Sequence, residues 1–324
     1  MKKRSFFVLA FLAVLGLGLA APSASSGAGY PDHPIQLIIP YVAGATGDIC
    51  ARMLAEEMEK TIGQKIVANN RPGAGTVLGA DATARAKKDG YTLFYGGASP
   101  MIYAPIANPE VVKYDPSKDF DAIGFHFFFP TVVGVKADAP WKNFNEFVDY
   151  AKKNPGKIRI TSIGVGSSTH FAIEMLQSIA GIKLTHVPFE GGETVITAVL
   201  GGHVEATLDG FGKLKPHVEA GRMRILLVDP KKPDYPQIPT LKELGYKQGL
   251  PATWFAMWGP AGIPDEAKKV LVPAMEKAVK ATKPRIEALG SICDYKSPAE
   301  TKKLRDDEYK QMYEIAVRIG LRKQ

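Results

Sequence analysis

Short apolar runs alternate with amphipathic helical patterns along most of this chain. In the first unit, the apolar run 35–39 leads through a glycine-bearing loop at 40–48 into a helical pattern at 49–62. Short apolar runs bounded by turn residues favour buried strands, whereas apolar positions spaced three and four apart favour amphipathic helices. Alternation of the two predicts an α/β protein built on parallel or mixed sheets.

The units form two series, so the pattern predicts two sheets and two domains. One series runs over 35–95 and the other over 157–228, and extended segments at 122–135 and 252–260 are placed to cross between them. Helical patterns near the C-terminus would return the chain to the first domain. A chain of 324 residues is long enough for two cores. The expected division is a signal segment at 1–28, a first domain at 29–127 and 253–324, and a second domain at 128–252.

The first 28 residues are typical of an export signal. Three cations at positions 2–4 precede an apolar run at 6–21, and small residues follow as far as Ala28. The run is shorter than the roughly 20 residues that a membrane-spanning helix needs, so an uncleaved anchor is the weaker alternative. We expect cleavage near Ala20 or Ala28 and a periplasmic protein.

The net charge of the chain indicates which partners it can bind, and its two cysteines raise the question of a disulfide. Removing residues 1–28 would lower the formal net charge from +8 to +5, and lysines and arginines alternate with acids along most helices. This pattern is typical of a solvated surface and argues against a nucleic-acid partner, while a mild positive surplus suits an acidic small ligand. Export permits a disulfide between Cys50 and Cys293, but Cys50 could equally be a small core residue, so pairing stays open.

Ligands of open α/β sheets bind outside the carboxyl ends of the strands, where four strand-to-helix loops lie in this chain: 40–48, 96–100, 164–170 and 209–212. In the first loop, glycines let the backbone turn tightly and expose its N–H groups. We expect Asp48 to be the N-cap of the next helix, whose positive dipole end favours an anion. The ligand's anion would then bind the N–H groups of 44–47.

The loop 164–170 repeats this arrangement, with hydroxyl groups at 167–169 before a helix that begins near His170. A micromolar ligand needs about −8 kcal/mol, and a hydrogen bond to a charged group contributes about 1.5–3 kcal/mol. Donors from both loops would suffice, although helix capping alone could explain either loop, and a turn cap could explain Asp209. The candidate ligand-binding residues are Tyr41, Gly44, Ala45, Thr46, Gly47, Asp48, Ser99, Gly166, Ser167, Ser168, Thr169, His170 and Asp209.

Motifs of other functional classes are absent from the sequence. It has no P-loop lysine, G-x-G-x-x-G or G-x-S-x-G motif, and its histidines lack metal-ligand spacing. We therefore expect no catalytic residue, metal or cofactor. The enzymatic alternative is a secreted α/β hydrolase that uses Ser167 or Ser99 with His170, but a histidine at a helix start that hydrogen-bonds its own loop is the simpler interpretation.

Ten short motifs in a fixed order resemble one family, and they lie at 30–35, 40–48, 70–75, 89–93, 114–120, 164–170, 187–191, 200–204, 238–240 and 258–264. Together they resemble the substrate-binding proteins of tripartite tricarboxylate transporters, the TctC/Bug family of extracytoplasmic solute receptors. The resemblance implies a two-domain, periplasmic-binding-protein-like (type II) fold that closes on a small carboxylate. It also implies a monomer that delivers the ligand to membrane permease subunits. In that family, the loops corresponding to 40–48 and 164–170 hold the carboxylate through backbone N–H groups, hydroxyls and water.

The chain departs from the family pattern within the first loop. The family usually has Phe-Pro-Pro-Gly-Gly-Ser-Thr-Asp where residues 41–48 read Tyr-Val-Ala-Gly-Ala-Thr-Gly-Asp. Ala45 restricts the backbone and Gly47 lacks a hydroxyl, while Thr46 keeps a donor. We expect the ligand preference to differ from that of relatives. Dicarboxylate, tricarboxylate, aromatic acid and amino acid ligands stay open, as does a role in feeding a sensor kinase.

Overall fold

The computed structural model describes residues 29–189 and 192–322, so the expected export signal at 1–28 lies outside the described residues. The strands are β1 (Ile35–Ile39), β2 (Ile66–Asn70), β3 (Thr92–Gly97), β4 (Phe120–Phe129), β5 (Thr131–Lys136), β6 (Arg159–Ser162), β7 (Thr185–Pro188), β8 (Ala206–Gly210), β9 (Met223–Asp229), β10 (Thr253–Pro260) and β11 (Ile292–Lys296). The α-helices are α1 (Thr46–Ile62), α2 (Val77–Ala84), α3 (Ala104–Ala107), α4 (Phe144–Lys153), α5 (Ser168–Ala180), α6 (Gly192–Leu200), α7 (Phe211–Glu219), α8 (Asp265–Ala288) and α9 (Pro298–Arg318). A 3₁₀ turn at Ala74–Thr76 and a π-helical turn at Ser99–Tyr103 complete them.

The strands form two mixed sheets, as the alternating pattern predicts. The first sheet has the order β11-β4-β10-β3-β1-β2, with β1 parallel to β2 and β3 and with β10 antiparallel to β3 and β4. The second sheet has the order β7-β6-β8-β5-β9. Strand β6 is parallel to β7 and β8, and β5 is antiparallel to β8 and β9. The α/β prediction is confirmed.

The chain passes between the sheets at two places. Strand β4 belongs to the first sheet and β5 to the second, and only Pro130 separates them. The pattern over 122–135 predicts one long strand; the structure breaks it because a proline has no N–H to donate to a ladder. The return connection is the proline-rich segment 230–252, which ends where β10 rejoins the first sheet.

Strand β10 lies in the centre of the first sheet and approaches β3 closely. A Cβ added to Gly97 would lie 1.6 Å from the backbone oxygen of Trp254, so only glycine fits there. At the other end of β10, the Trp258 indole donates to the Gly96 carbonyl over 3.0 Å. These contacts hold the end of β3 against the strand that returns from the second sheet.

Contacts of helix α9 also connect the two sheets. Its Glu308 carboxylate accepts hydrogen bonds from the Tyr103 hydroxyl at 2.8 Å and from the Trp254 indole at 2.7 Å. The Tyr103 ring packs on Phe171 of α5, a helix of the second series, with 5.3 Å between ring centroids. Burial raises the pKa of Glu308 to about 7, and the two hydrogen bonds only partly oppose this shift.

Both cysteines are buried free thiols, which answers the open question of pairing. Burial raises the pKa of each thiol to about 12. No helix in the described ranges is long and apolar enough to cross a membrane. Within the same ranges, histidine, cysteine and acidic side chains form no cluster of three that could hold a metal ion.

The raised pKa of Glu308 predicts a pH-dependent stability that Glu308→Gln removes. A carboxyl whose pKa is higher in the folded state stabilises the fold below its ordinary value of 4.5, and this contribution is lost as pH rises through about 7. Between pH 5 and pH 9 we expect the wild type to lose about 1–2 kcal/mol of unfolding free energy relative to the variant. Denaturant unfolding at both pH values measures the difference. The exposed neighbour Glu314, changed to Gln, is the control and should follow the wild type; a parallel profile for Glu308→Gln would contradict the prediction.

Candidate functional site

A cavity of about 490 Å³ lies between the two sheets. It opens beside the first turns of α1, α5 and α7, at the carboxyl ends of β1, β6 and β8. Its lining residues are Thr46, Phe129, Ile163, Ser168, Thr169, Asp209, Gly210, Gly212, Lys213, Pro216, His217, Thr253, Phe255 and Leu289. The structure therefore brings together three of the four loops in which the sequence places a ligand site.

Four of the candidate residues line the cavity: Thr46, Ser168, Thr169 and Asp209. The other nine are not among its lining residues. Ser99, from the fourth loop, lies 3.3 Å from the Gly75 carbonyl and 3.2 Å from the Thr76 hydroxyl and is outside the cavity.

The role predicted for Asp48 as a helix N-cap is wrong. Helix α1 begins at Thr46, with Ala45 as its N-cap and no side-chain cap bond. The Asp48 carboxylate accepts instead from the Gly44 N–H at 2.9 Å, the Arg52 Nε at 2.9 Å and the Asn70 amide at 2.8 Å. Burial raises the pKa of Asp48, but these hydrogen bonds and the Arg52 charge outweigh it and hold the pKa below its usual value. The carboxylate is ionised, and its donors come from the loop, from α1 and from β2.

This arrangement determines which amides of the first loop are free. The Gly44 N–H is bound to Asp48, and the Ala45 N–H donates to the Val42 carbonyl at 3.1 Å. The N–H groups of residues 46–48 have no acceptor in the part of the chain that the structure describes. The loop amides that are free to bind a ligand are thus those of 46–48, whereas Gly44 and Ala45, within the expected range of 44–47, use their N–H groups inside the loop.

The unusual glycine of this loop lies directly under an aromatic ring. A Cβ added to Gly47 would lie 2.5 Å from the ring of Tyr41, so this ring would have to shift to make room for a side chain at position 47. Tyr41 also packs on Phe255, with 5.7 Å between ring centroids. The first loop is therefore in aromatic contact with the cavity wall.

The second loop is capped as the simpler interpretation predicts. Ser167 is the N-cap of α5: its hydroxyl accepts from the His170 N–H at 3.2 Å and donates to the Gly164 carbonyl at 2.6 Å. The His170 Nδ1 accepts from the Gly166 N–H at 3.1 Å. Among the described residues the N–H groups of 168 and 169 have no acceptor, so α5, like α1, presents free amides to the cavity.

His170 is not placed to act as a base toward Ser167. Its ring stacks on His186 with 4.3 Å between centroids. Burial lowers the pKa of both histidines, and the neighbouring His170 helps to lower that of His186 to about 4. The two rings are therefore neutral and join the start of α5 to β7, and the Ser167 hydroxyl hydrogen is directed at a carbonyl.

The third loop supplies the charged groups of the cavity. Asp209 accepts from the Gly210 N–H at 2.7 Å, as a turn cap would, and both of its oxygens lie 3.1 Å from the Lys213 ammonium. The sequence analysis missed Lys213, although its spacing of four from Asp209 at a helix start was a usable signal. It also missed Phe129 and Phe255, which line the cavity from the ends of the crossing strands.

The two halves touch on either side of the cavity. The Ser168 hydroxyl lies 3.4 Å from the Thr253 hydroxyl of β10. At the α7 end, a Cβ added to Gly212 would lie 2.3 Å from the Leu289 carbonyl oxygen, and one added to Gly290 would lie 2.8 Å from the Gly212 Cα. The backbone at Gly212 is in direct contact with the backbone at 289–290, because both glycines lack side chains.

Residues 50–321 match the family described as tripartite tricarboxylate transporter family receptor. The chain belongs to this family. It is 35% identical to the UPF0065 protein in the gbd 5′ region of Cupriavidus necator, over 86% of this chain and 85% of the relative. It is also similar to the crystal structure of a TctC solute-binding protein from Polaromonas without ligand, at 27% identity and a TM-score of 0.79, covering 89% and 99% of the two chains.

Two further structures of the receptor family's fold carry named ligands. An R. palustris protein with adipate has a TM-score of 0.73, and MatC from Rhodopseudomonas palustris with bound malate has one of 0.71. Each is 25% identical to this receptor; the matches cover 89% and 88% of this chain and 97% and 99% of theirs. The expected two-domain solute-binding fold is confirmed. Family members are periplasmic substrate-binding receptors and not enzymes, and this receptor shares their class.

We expect Gly212→Ala to hold the two halves of the receptor apart. The added methyl would meet a backbone oxygen that has little freedom to move, so the contact with Leu289 has to open. Ligand affinity should fall about tenfold, because the donors of α1 and α5 no longer converge. Isothermal titration calorimetry and the small-angle scattering radius measure the effect. Gly29→Ala, whose methyl meets nothing within 4 Å, is the control; an unchanged affinity in Gly212→Ala would show that the glycine contact is not needed for binding.

Loss of the lining hydroxyls should lower ligand affinity, whereas loss of the capping hydroxyl should lower stability. Thr46→Val with Ser168→Ala removes two cavity hydroxyls and is expected to weaken carboxylate binding by about 1.5–3 kcal/mol per lost hydrogen bond, with little change in stability. Ser167→Ala removes the α5 cap and should cost about 1 kcal/mol of unfolding free energy. Calorimetric titration and denaturant unfolding on the two proteins distinguish the roles. Full affinity in the double variant would place the bound carboxylate elsewhere.

Proposed function

We propose that this receptor captures a small carboxylate between its two halves and delivers it to the membrane subunits of a tripartite tricarboxylate-type permease. One observation carries the proposal. Helices α1 and α5 come from different halves, and both direct first turns with free amides at the same cavity. Amides at helix N-termini are the usual protein partners of carboxylate and phosphate groups.

The number of donors is consistent with a physiological affinity. The amides of 46–48 and 168–169, with the hydroxyls of Thr46 and Ser168, exceed the four or five hydrogen bonds that a micromolar carboxylate requires. The adipate and malate bound by two related structures are carboxylates, which supports the same ligand class here.

We further propose the domain division and the cellular location. Sheet membership supports a first domain at 29–127 with 253–324 and a second at 128–252, and it favours moving the first boundary to Pro130, where β4 ends. Export under the signal at 1–28, with cleavage near Ala20 or Ala28, would bring the monomeric receptor to the periplasm, where permease subunits can reach it.

Thermal unfolding of the full chain, expressed with its signal and recovered from the periplasmic fraction of a Gram-negative host, tests the proposal. A ligand at about 100 times its Kd stabilises the folded state by about 2.7 kcal/mol, which raises Tm by several degrees. We expect such shifts with carboxylic acids and none with their amides. If neutral or cationic solutes shift Tm and no carboxylate does, the proposed ligand class is wrong. N-terminal sequencing of the same material reads the cleavage site.

A further inference from the structure

We infer that the ligand is a monocarboxylate with an apolar body, such as an aromatic or branched-chain acid, and not a dicarboxylate or tricarboxylate. The inference rests on the proposed function, since it assumes that the cavity between α1, α5 and α7 is the carboxylate site. The charge balance of the cavity wall and the chemistry of its remaining surface support it independently.

Among the lining residues that the structure describes, the positive groups suffice for one carboxylate only. The free amides of α1 and α5 provide one positive pole. The wall's other cation is Lys213, and two of its three ammonium protons face the two oxygens of Asp209. This pair is electrically neutral, so a second ligand carboxylate placed there would approach Asp209 without a free cation to offset it.

The arginine bound to Asp48 and the two histidines at the second loop add no unpaired positive charge. The Arg52 guanidinium is bound to Asp48 at 2.9 Å and to the Asn70 side chain at 2.7 Å. The stacked rings of His170 and His186 are neutral, because burial lowers the pKa of both. His217 adds an imidazole to the wall; its Nδ1 is buried and has no hydrogen-bond partner within 29–189 and 192–322.

The rest of the wall is apolar apart from the Thr253 hydroxyl. Phe255 is 7% exposed and is stacked on Phe127 with 4.8 Å between centroids and at the edge of Phe129 at 6.3 Å. Ile163 and Leu289 also line the cavity and are 36% and 38% exposed, so they offer apolar surface that a ligand can cover. A second carboxylate group placed against these side chains would lose its hydrating water without gaining a hydrogen-bond partner.

Isothermal titration at pH 8 of the full-length receptor with five probes tests the inference. The probes are 3-phenylpropionate, 4-methylpentanoate, adipate, citrate and the neutral 3-phenylpropionamide. We expect at least one of the two monocarboxylates to bind about tenfold or more tightly than adipate and citrate, and the amide to bind far more weakly than its acid. If adipate or citrate binds as tightly as both monocarboxylates, the inference is overturned and the proposed carboxylate function stands. If the amide binds and no acid does, the proposed function itself fails.

A positive charge added to the apolar wall should change the order of affinities for adipate and 3-phenylpropionate. Ile163→Lys adds a cation to the cavity wall near the start of α5, where the Ile163 N–H donates to the Thr169 hydroxyl at 3.1 Å. A dianion gains more than a monoanion from this charge, and the partial exposure of the site allows the lysine to be solvated in the folded protein. We expect adipate to gain about tenfold in affinity and 3-phenylpropionate to lose a similar factor. Val67→Lys, at a site 51% exposed on the edge strand β2 and outside the cavity lining, is the matched control and should change neither value. An unchanged ranking in Ile163→Lys would show that wall charge does not set the preference.

Discussion

The bonding of the Asp48 carboxylate is the interaction on which the candidate site depends. A negative charge in the first turn of α1 would ordinarily compete with an anionic ligand for the same amides. Here the carboxylate turns back to the Gly44 N–H and is neutralised by Arg52, with Asn70 of β2 as a third donor. The loop is thereby held in one shape, and the amides that follow it stay available for a ligand.

Local patterns in the sequence were sufficient to predict the architecture. Alternating strands and helices indicated the α/β class, and the extended segment at 122–135 indicated a crossing between two sheets, which the structure places at Pro130. The loops 40–48, 164–170 and 209–212 were predicted because each follows a strand and precedes a helix. Their convergence on one cavity follows from the general position of ligand sites in such sheets.

The details that sequence could not supply depend on contacts between distant segments. Whether Asp48 caps its own helix or bonds back to the loop is decided by Asn70, which lies on a neighbouring strand. Phe255 reaches the cavity only because β10 returns to the centre of the first sheet. Gly47 looked like the loss of a ligand hydroxyl, whereas it accommodates the Tyr41 ring. Each of these outcomes is a packing relation that a local pattern does not encode.

The single residue between β4 and β5 restricts how the two halves can move. The Cα atoms of Phe129 and Thr131 can never be more than about 7.6 Å apart, whatever the halves do elsewhere. The other connection, 230–252, is long enough to follow almost any displacement. Any relative motion of the sheets therefore has Pro130 as its pivot, with no sliding or separation at that point. Phe129 adjoins this pivot and lines the cavity, and a Cβ on Gly212 would lie 3.4 Å from its ring, so a ligand bound as proposed would keep its contacts with this end of the cavity throughout such a motion.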